Sequence, residues 1–167
     1  ERLPGLVREL HIKSFVDVGC GDFTWMRSVE LGCPYVGADI VPAVIAANQQ
    51  AFGDESHSFV CRNAISDDLP EGEAVLCRDM LFHLSLADGR SALKNILSKD
   101  RRFLIVTTDG VTDVNGDIIT GDYRARNLRR APFNFPEPIE VIDDSVVEPE
   151  RSIGVWRADD VRRALGL

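Results

Sequence analysis

Phe15-Val16-Asp17-Val18-Gly19-Cys20-Gly21-Asp22 is the stretch on which the fold turns. A short apolar, β-branched run, broken once by an acid, leads straight into a pair of glycines. Such a run reads as a parallel strand buried on both faces. Gly19 and Gly21 can take backbone angles that other residues resist, and they let the main chain approach a ligand with no Cβ between. Trp25, Met26 and Val29 follow at near-helical spacing, so Thr24 to Leu31 is expected as a helix stopped by Gly32. The open N–H groups at its start would favour electronegative ligand atoms.

The same alternation continues outward. Tyr35 to Ala38 reads as a second strand, and Val41 to Phe52 as a helix with Pro42 in its first turn and Gly53 after its end. Ser58 to Cys61 and Ala74 to Cys77 are the third and fourth strands. Asp88 to Leu97 is a helix with Asp88 as its N-cap, and Arg102 to Thr107 is the fifth strand. Strands spaced by helices imply right-handed crossovers and a doubly wound α/β sheet. Residues 109–138 break the rhythm: they are rich in Gly, Asn, Asp, Arg and Pro, the mark of a functional or disordered insert. Pro138 to Asp143 and Ser152 to Trp156 follow with only the acidic turn Asp144 to Glu150 between them, which predicts a closing antiparallel hairpin. Ala158 to Leu165 ends the chain as a helix.

Bulk properties exclude several classes. With 167 residues and a formal net charge of −8, the chain has the length of one domain and a poor surface for nucleic acid or anionic membrane. Cys20, Cys33, Cys61 and Cys77 lie far apart with no C-x-x-C, so no metal is expected, and free thiols in a reducing cytoplasm are the better reading. No apolar run is long enough to span a bilayer, and no secretory signal is visible. The chain opens on Glu1 rather than Met, so trimming upstream is suspected. Oligomeric state is not legible.

Asp39 stands about 20 residues beyond the glycine turn, at the end of the second strand, where a carboxylate can accept from both hydroxyls of a ribose. A nicotinamide-binding turn wants a third glycine at position 24 to seat a pyrophosphate; Thr24 and the bulky Trp25 stand there instead. No Tyr precedes Lys94 or Lys99 by four residues, which further disfavours an NAD-dependent oxidoreductase. Asp17 brings a carboxylate to the turn, unhelpful to a pyrophosphate and suited to a cationic amino-acid ligand. Charge therefore favours S-adenosylmethionine.

At these residues the sequence resembles the class I S-adenosylmethionine-dependent methyltransferases. The motifs are Asp17-Val18-Gly19-Cys20-Gly21, Asp39, and Arg78-Asp79-Met80-Leu81-Phe82-His83-Leu84 after the fourth strand. The resemblance runs from about Ser14 to Thr107. It implies a Rossmann-like, mostly parallel seven-stranded sheet with its last strand antiparallel, as one domain over residues 1–167. It implies that Asp17, Gly19, Cys20 and Gly21 meet the methionine part of the cofactor, that Asp39 and Ile40 hold the ribose, and that Asn63 and Ala64 meet the adenine. Arg78, Asp79 and Met80 complete the cofactor set. Two departures stand out: Phe23 replaces a common third glycine, and Asn63 stands where the family often has Asp.

For the methyl acceptor, Asp79 and His83 are the candidate catalytic pair, four residues apart and on one face if the segment is helical; packing in the cofactor pocket is the competing role for His83. The insert adds Tyr123, Arg124, Arg126 and Asn127 as candidate substrate contacts, within an arginine cluster that also includes Arg129 and Arg130. The acceptor is expected to be a polar or anionic small molecule, a sugar or secondary metabolite being the class in view. A non-catalytic module that binds the cofactor is the alternative. Trp25 and Trp156 read as core residues, His11 and His57 as surface residues, and Asp67-Asp68 and Asp143-Asp144 as solvated turns.

Overall fold

Strand β1 (Phe15–Val18) lies inside a seven-stranded sheet, next to the central strand, in the order β3-β2-β1-β4-β5-β7-β6. The computed structural model describes residues 2–167. Its remaining strands are β2 (Tyr35–Asp39), β3 (His57–Cys61), β4 (Ala74–Cys77), β5 (Phe103–Asp109), β6 (Glu140–Asp143) and β7 (Arg151–Arg157). The first five run parallel, while β7 pairs antiparallel with both β5 and β6. This is the Rossmann-like sheet with a C-terminal hairpin that the sequence implies.

Alternation along the strands divides the core. Val16 and Val18 face one side with Val75, Cys77, Leu104 and Val106, against helices α3 (Leu86–Leu97) and α4 (Ala158–Leu165) and against Leu128, Phe133 and Phe135 of the insert. Phe15 faces the other side with Tyr35, Leu76 and Ile105, against α1 (Arg2–Glu9) and Ile45 of α2 (Pro42–Phe52). Helix α1, not expected from the sequence, buries Leu3, Leu6 and Val7 on one stripe.

Two local expectations are corrected. Between Cys20 and Cys33 there is no full helix, only a single 3₁₀ turn at Met26–Ser28, after which Val29 is extended. Phe23 explains this. Its ring is buried among Tyr35, Phe52, His57 and Phe59, which holds its backbone at φ +60° just where a helix would begin. The few apolar positions that remain cannot offset the cost of nucleating a helix. Helix α3 is capped by Ser85, whose hydroxyl accepts from the Asp88 amide at 3.1 Å, so Asp88 sits inside the first turn rather than before it.

Candidate functional site

The crevice opens at the carboxyl ends of β1, β2 and β4. Gly19 has φ +84°, and its amide donates to the Ala38 carbonyl at 2.8 Å. A Cβ there would come within 2.9 Å of the Met80 Cβ, so close approach of the turn after β4 requires glycine. Gly21 donates to Asp39 Oδ2 at 3.0 Å, and Val41 donates to Asp39 Oδ1 at 3.0 Å. Two amides thus fix the Asp39 carboxylate, while each oxygen keeps a lone pair for a ligand hydroxyl.

Asp17 lies just beneath this turn and is nearly inaccessible. The Tyr35 hydroxyl donates to its Oδ2 at 2.9 Å, and its buried Oδ1 has no partner in the chain. Burial, opposed in part by the Tyr35 bond and by Arg78, pushes the Asp17 carboxyl up to about 7. Asn63 spends its side-chain oxygen locally, accepting from the Ile65 amide at 2.9 Å, so an adenine amino group would have to share it.

After β4 the chain makes a left-handed step at Asp79 (φ +67°) and then a 3₁₀ turn at Met80–His83. This corrects the expectation that Asp79 and His83 share a helical face. Asp79 turns to Arg151 Nη2 at 2.5 Å and to Arg78 at 3.5 Å. Arg151 also holds Asp144 at 2.7 Å, Arg78 lies 3.3 Å from Asp144, and the Arg78 guanidinium sits 4.8 Å over the Trp25 ring. Asp144, read from sequence as a solvated turn residue, is therefore a buried member of a charge-balanced cluster, and Trp25 is a half-exposed cover for Arg78 rather than core. His83 places Nδ1 3.0 Å from the Asp122 carbonyl oxygen. A carbonyl only accepts, so the neutral ring carries its proton on Nδ1 and leaves Nε2 with a free lone pair.

The insert is pinned rather than loose. Gly121 N donates to His83 O and Arg124 N donates to Phe82 O, both at 2.8 Å, and the Thr120 hydroxyl accepts from the Ser85 amide. The arginine cluster disperses. Arg126 is fully buried and donates to the carbonyls of Leu84 and Gly116, and Asn127 is buried against Asn115. Both are withdrawn as substrate contacts, because both are buried and Arg126 spends Nη1 and Nη2 on backbone carbonyls. Arg129 pairs with Glu137, and Arg130 lies 3.8 Å from Asp113. Arg124 stays exposed with its guanidinium beside Gly116. The Tyr123 hydroxyl donates to Glu148 Oε2 at 2.5 Å, and burial, followed by that bond, pushes its phenol up to about 12.

A cavity of about 590 Å³ joins these parts. Asp39, Ile40, Asn63 and Ala64 line one part, Gly19, Arg78, Asp79 and Met80 another, and His83 with Thr120 and Gly121 the rest. Asp17, Cys20 and Gly21 are not among its lining residues, nor are Tyr123 and Arg124. Sequence reasoning missed Val41, Arg62, Ile65 and Thr120; the first three could have been found as neighbours of the ribose and adenine motifs. The orphaned oxygen of Asp17 and the clamped carboxylate of Asp39 suit a ligand carrying both an ammonium and a ribose, which is the chemistry of S-adenosylmethionine.

The family model described as "Methyltransferase domain" matches residues 16–99, half of the chain. The chain belongs to the class I S-adenosylmethionine-dependent methyltransferases. Three solved structures share the fold of this methyltransferase. Human N-acetylserotonin methyltransferase, in complex with the cofactor, superposes with a TM-score of 0.67 at 16% identity, over 93% of this chain and 50% of that one. An O-methyltransferase family 2 protein of Planctomyces limnophilus DSM 3776, in complex with apigenin, gives 0.68 at 12% identity, over 87% and 50%. The N-methyltransferase NodS of Bradyrhizobium japonicum WM9 gives 0.65 at 13% identity, over 92% and 93%. The chain thus spans about half the length of the first two. No curated protein sequence matches it. The nicotinamide reading falls with the family assignment. The family's cofactor is S-adenosylmethionine; among the described residues of the methyltransferase, no cluster of three or more His, Cys, Asp or Glu side chains could hold a metal, and no helix is long and apolar enough to cross a membrane.

Proposed function

We propose that the chain transfers the methyl group of S-adenosylmethionine to a polar small molecule, with His83 accepting the proton. Asp39 would hold the ribose, Asn63 and Ala64 the adenine, and Gly19, Asp17 and Arg78 the amino-acid end. When bound, the cofactor supplies an electrophilic methyl on a positively charged sulfur. The protein's task is then to hold a nucleophile in line and to take its proton. Asp79 is committed to Arg151 and Arg78, so it positions the turn, and the base role falls to His83. The observation that carries this is the Asp122 carbonyl, which fixes the His83 tautomer with Nε2 bare in a residue lining the same cavity as Asp39.

The anionic half of the acceptor expectation now rests on Arg124 alone. Four unpaired thiols support a cytoplasmic setting, and one sheet gathering all seven strands supports a single domain over residues 1–167.

Two measurements test this. S-adenosylhomocysteine at about 100 times its Kd should stabilise the protein by roughly 2.7 kcal/mol, while NAD should not. Across an acceptor panel, His83→Ala should lower kcat by about 100-fold or more with unchanged S-adenosylhomocysteine affinity; near-normal turnover would remove His83 as the base.

A further inference from the structure

We propose that Tyr35 is a positioning residue of the cofactor site: its hydroxyl holds one oxygen of Asp17 and leaves the other for the cofactor's ammonium. This rests on the cofactor reading above. Tyr35 opens β2 and is paired in register with Phe15 of β1, so Asp17 lies two residues further along the same face. The ring spans that interval to reach Oδ2 at 2.9 Å, and Oδ1, two residues before Gly19 in the chain, is buried without a partner. A buried carboxylate oxygen with no donor is disfavoured unless a ligand supplies one.

The groups around Asp17 decide its charge. Tyr35 from β2, Cys20 from the glycine turn and Cys77 from β4 all have their ionisation pushed upward by burial first and by Asp17 second, so they stay neutral near pH 7. Asp39 opposes ionisation of Asp17 and Arg78 favours it, but Arg78 is already shared with Asp144 and Asp79. Burial dominates and holds the free carboxyl near 7. Below that pH a proton competes with the ammonium, so affinity should rise as pH rises and then level off. The Tyr35 bond favours the ionised form. Losing it should move the levelling point to higher pH.

The test is calorimetric titration with S-adenosylhomocysteine from about pH 5.5 to 8, on the wild type, Tyr35→Phe and Asp17→Asn. Wild-type affinity should fall below the levelling point, approaching about tenfold per pH unit. Asp17→Asn should bind weakly with that slope gone. Tyr35→Phe should bind several-fold more weakly at pH 7 and recover as pH is raised. A flat wild-type profile, or a Tyr35→Phe loss equal at every pH, would overturn the proposal, the latter by leaving Tyr35 a packing residue only. If Tyr35→Phe does not fold, the wild-type and Asp17→Asn profiles still decide. Absence of binding at any pH would instead defeat the cofactor reading, and this proposal with it.

Discussion

Replacing Arg151 by Leu should be among the most damaging single changes away from the main core, and its cost follows from charge balance. Arg151 is 5% exposed and contacts Asp79 at 2.5 Å and Asp144 at 2.7 Å, while Arg78 lies 3.3 Å from Asp144. Two cations and two carboxylates then cancel. Without Arg151, two carboxylates share Arg78 in a site largely shielded from water. An exposed pair would be worth about 1 kcal/mol or less, but stranding a buried charge costs about 3–5 kcal/mol. At roughly 2–4 °C per kcal/mol for a domain of this size, Tm should fall by about 6–20 °C. Urea unfolding of Arg151→Leu should show the loss. The double variant Arg151→Leu/Asp144→Asn removes the surplus charge and should recover more than half of it. A loss under about 1 kcal/mol, or a double variant no better than the single, would refute the reasoning.

Phe23→Gly should relieve about 1–2 kcal/mol of left-handed strain yet lose about 3–5 kcal/mol of ring burial, a net loss of about 2 kcal/mol; Phe23→Ala, which keeps the strain, should be less stable still in chemical denaturation. Gly154→Ala would put a Cβ 2.1 Å from Trp156 Cη2, and that ring is tied to the Pro136 carbonyl at 2.8 Å; a loss of about 1–3 kcal/mol should appear with a changed near-ultraviolet dichroism of the buried indole. Arg126→Leu leaves the Leu84 and Gly116 carbonyls without their donor, so limited proteolysis should cut within residues 109–138, whereas Arg124→Glu should leave the digest unchanged and alter only acceptor KM.

The parallel strands were legible because each is a short apolar run ended by turn residues, and β1 through β5 emerge within a residue or two of the expected bounds. Helix α1 could have been found from the spacing of Leu3, Leu6 and Val7, although Pro4 and Gly5 argue against it locally. The lost helix after Gly21 was not legible, because what cancels it is Phe23 packing on residues of β2, α2 and β3 that are remote in sequence. Eight of the eleven cofactor residues named from motifs line the cavity, since main-chain geometry at strand ends is encoded locally. Arg126 was misjudged for the opposite reason. It looks like a surface cation in the sequence, and only the fold supplies the carbonyls that bury it. Asp144 was misread in the same way, since only the fold brings Arg151 and Arg78 to it.

The insert holds the turn after β4 through main-chain amides of Gly121 and Arg124 and through the Thr120 hydroxyl, with the Tyr123 ring against Phe82 and His83. Backbone attachment is indifferent to which residue provides it, so exposed positions such as Ile119 and Arg124 are free to vary while the scaffold beside His83 keeps its shape.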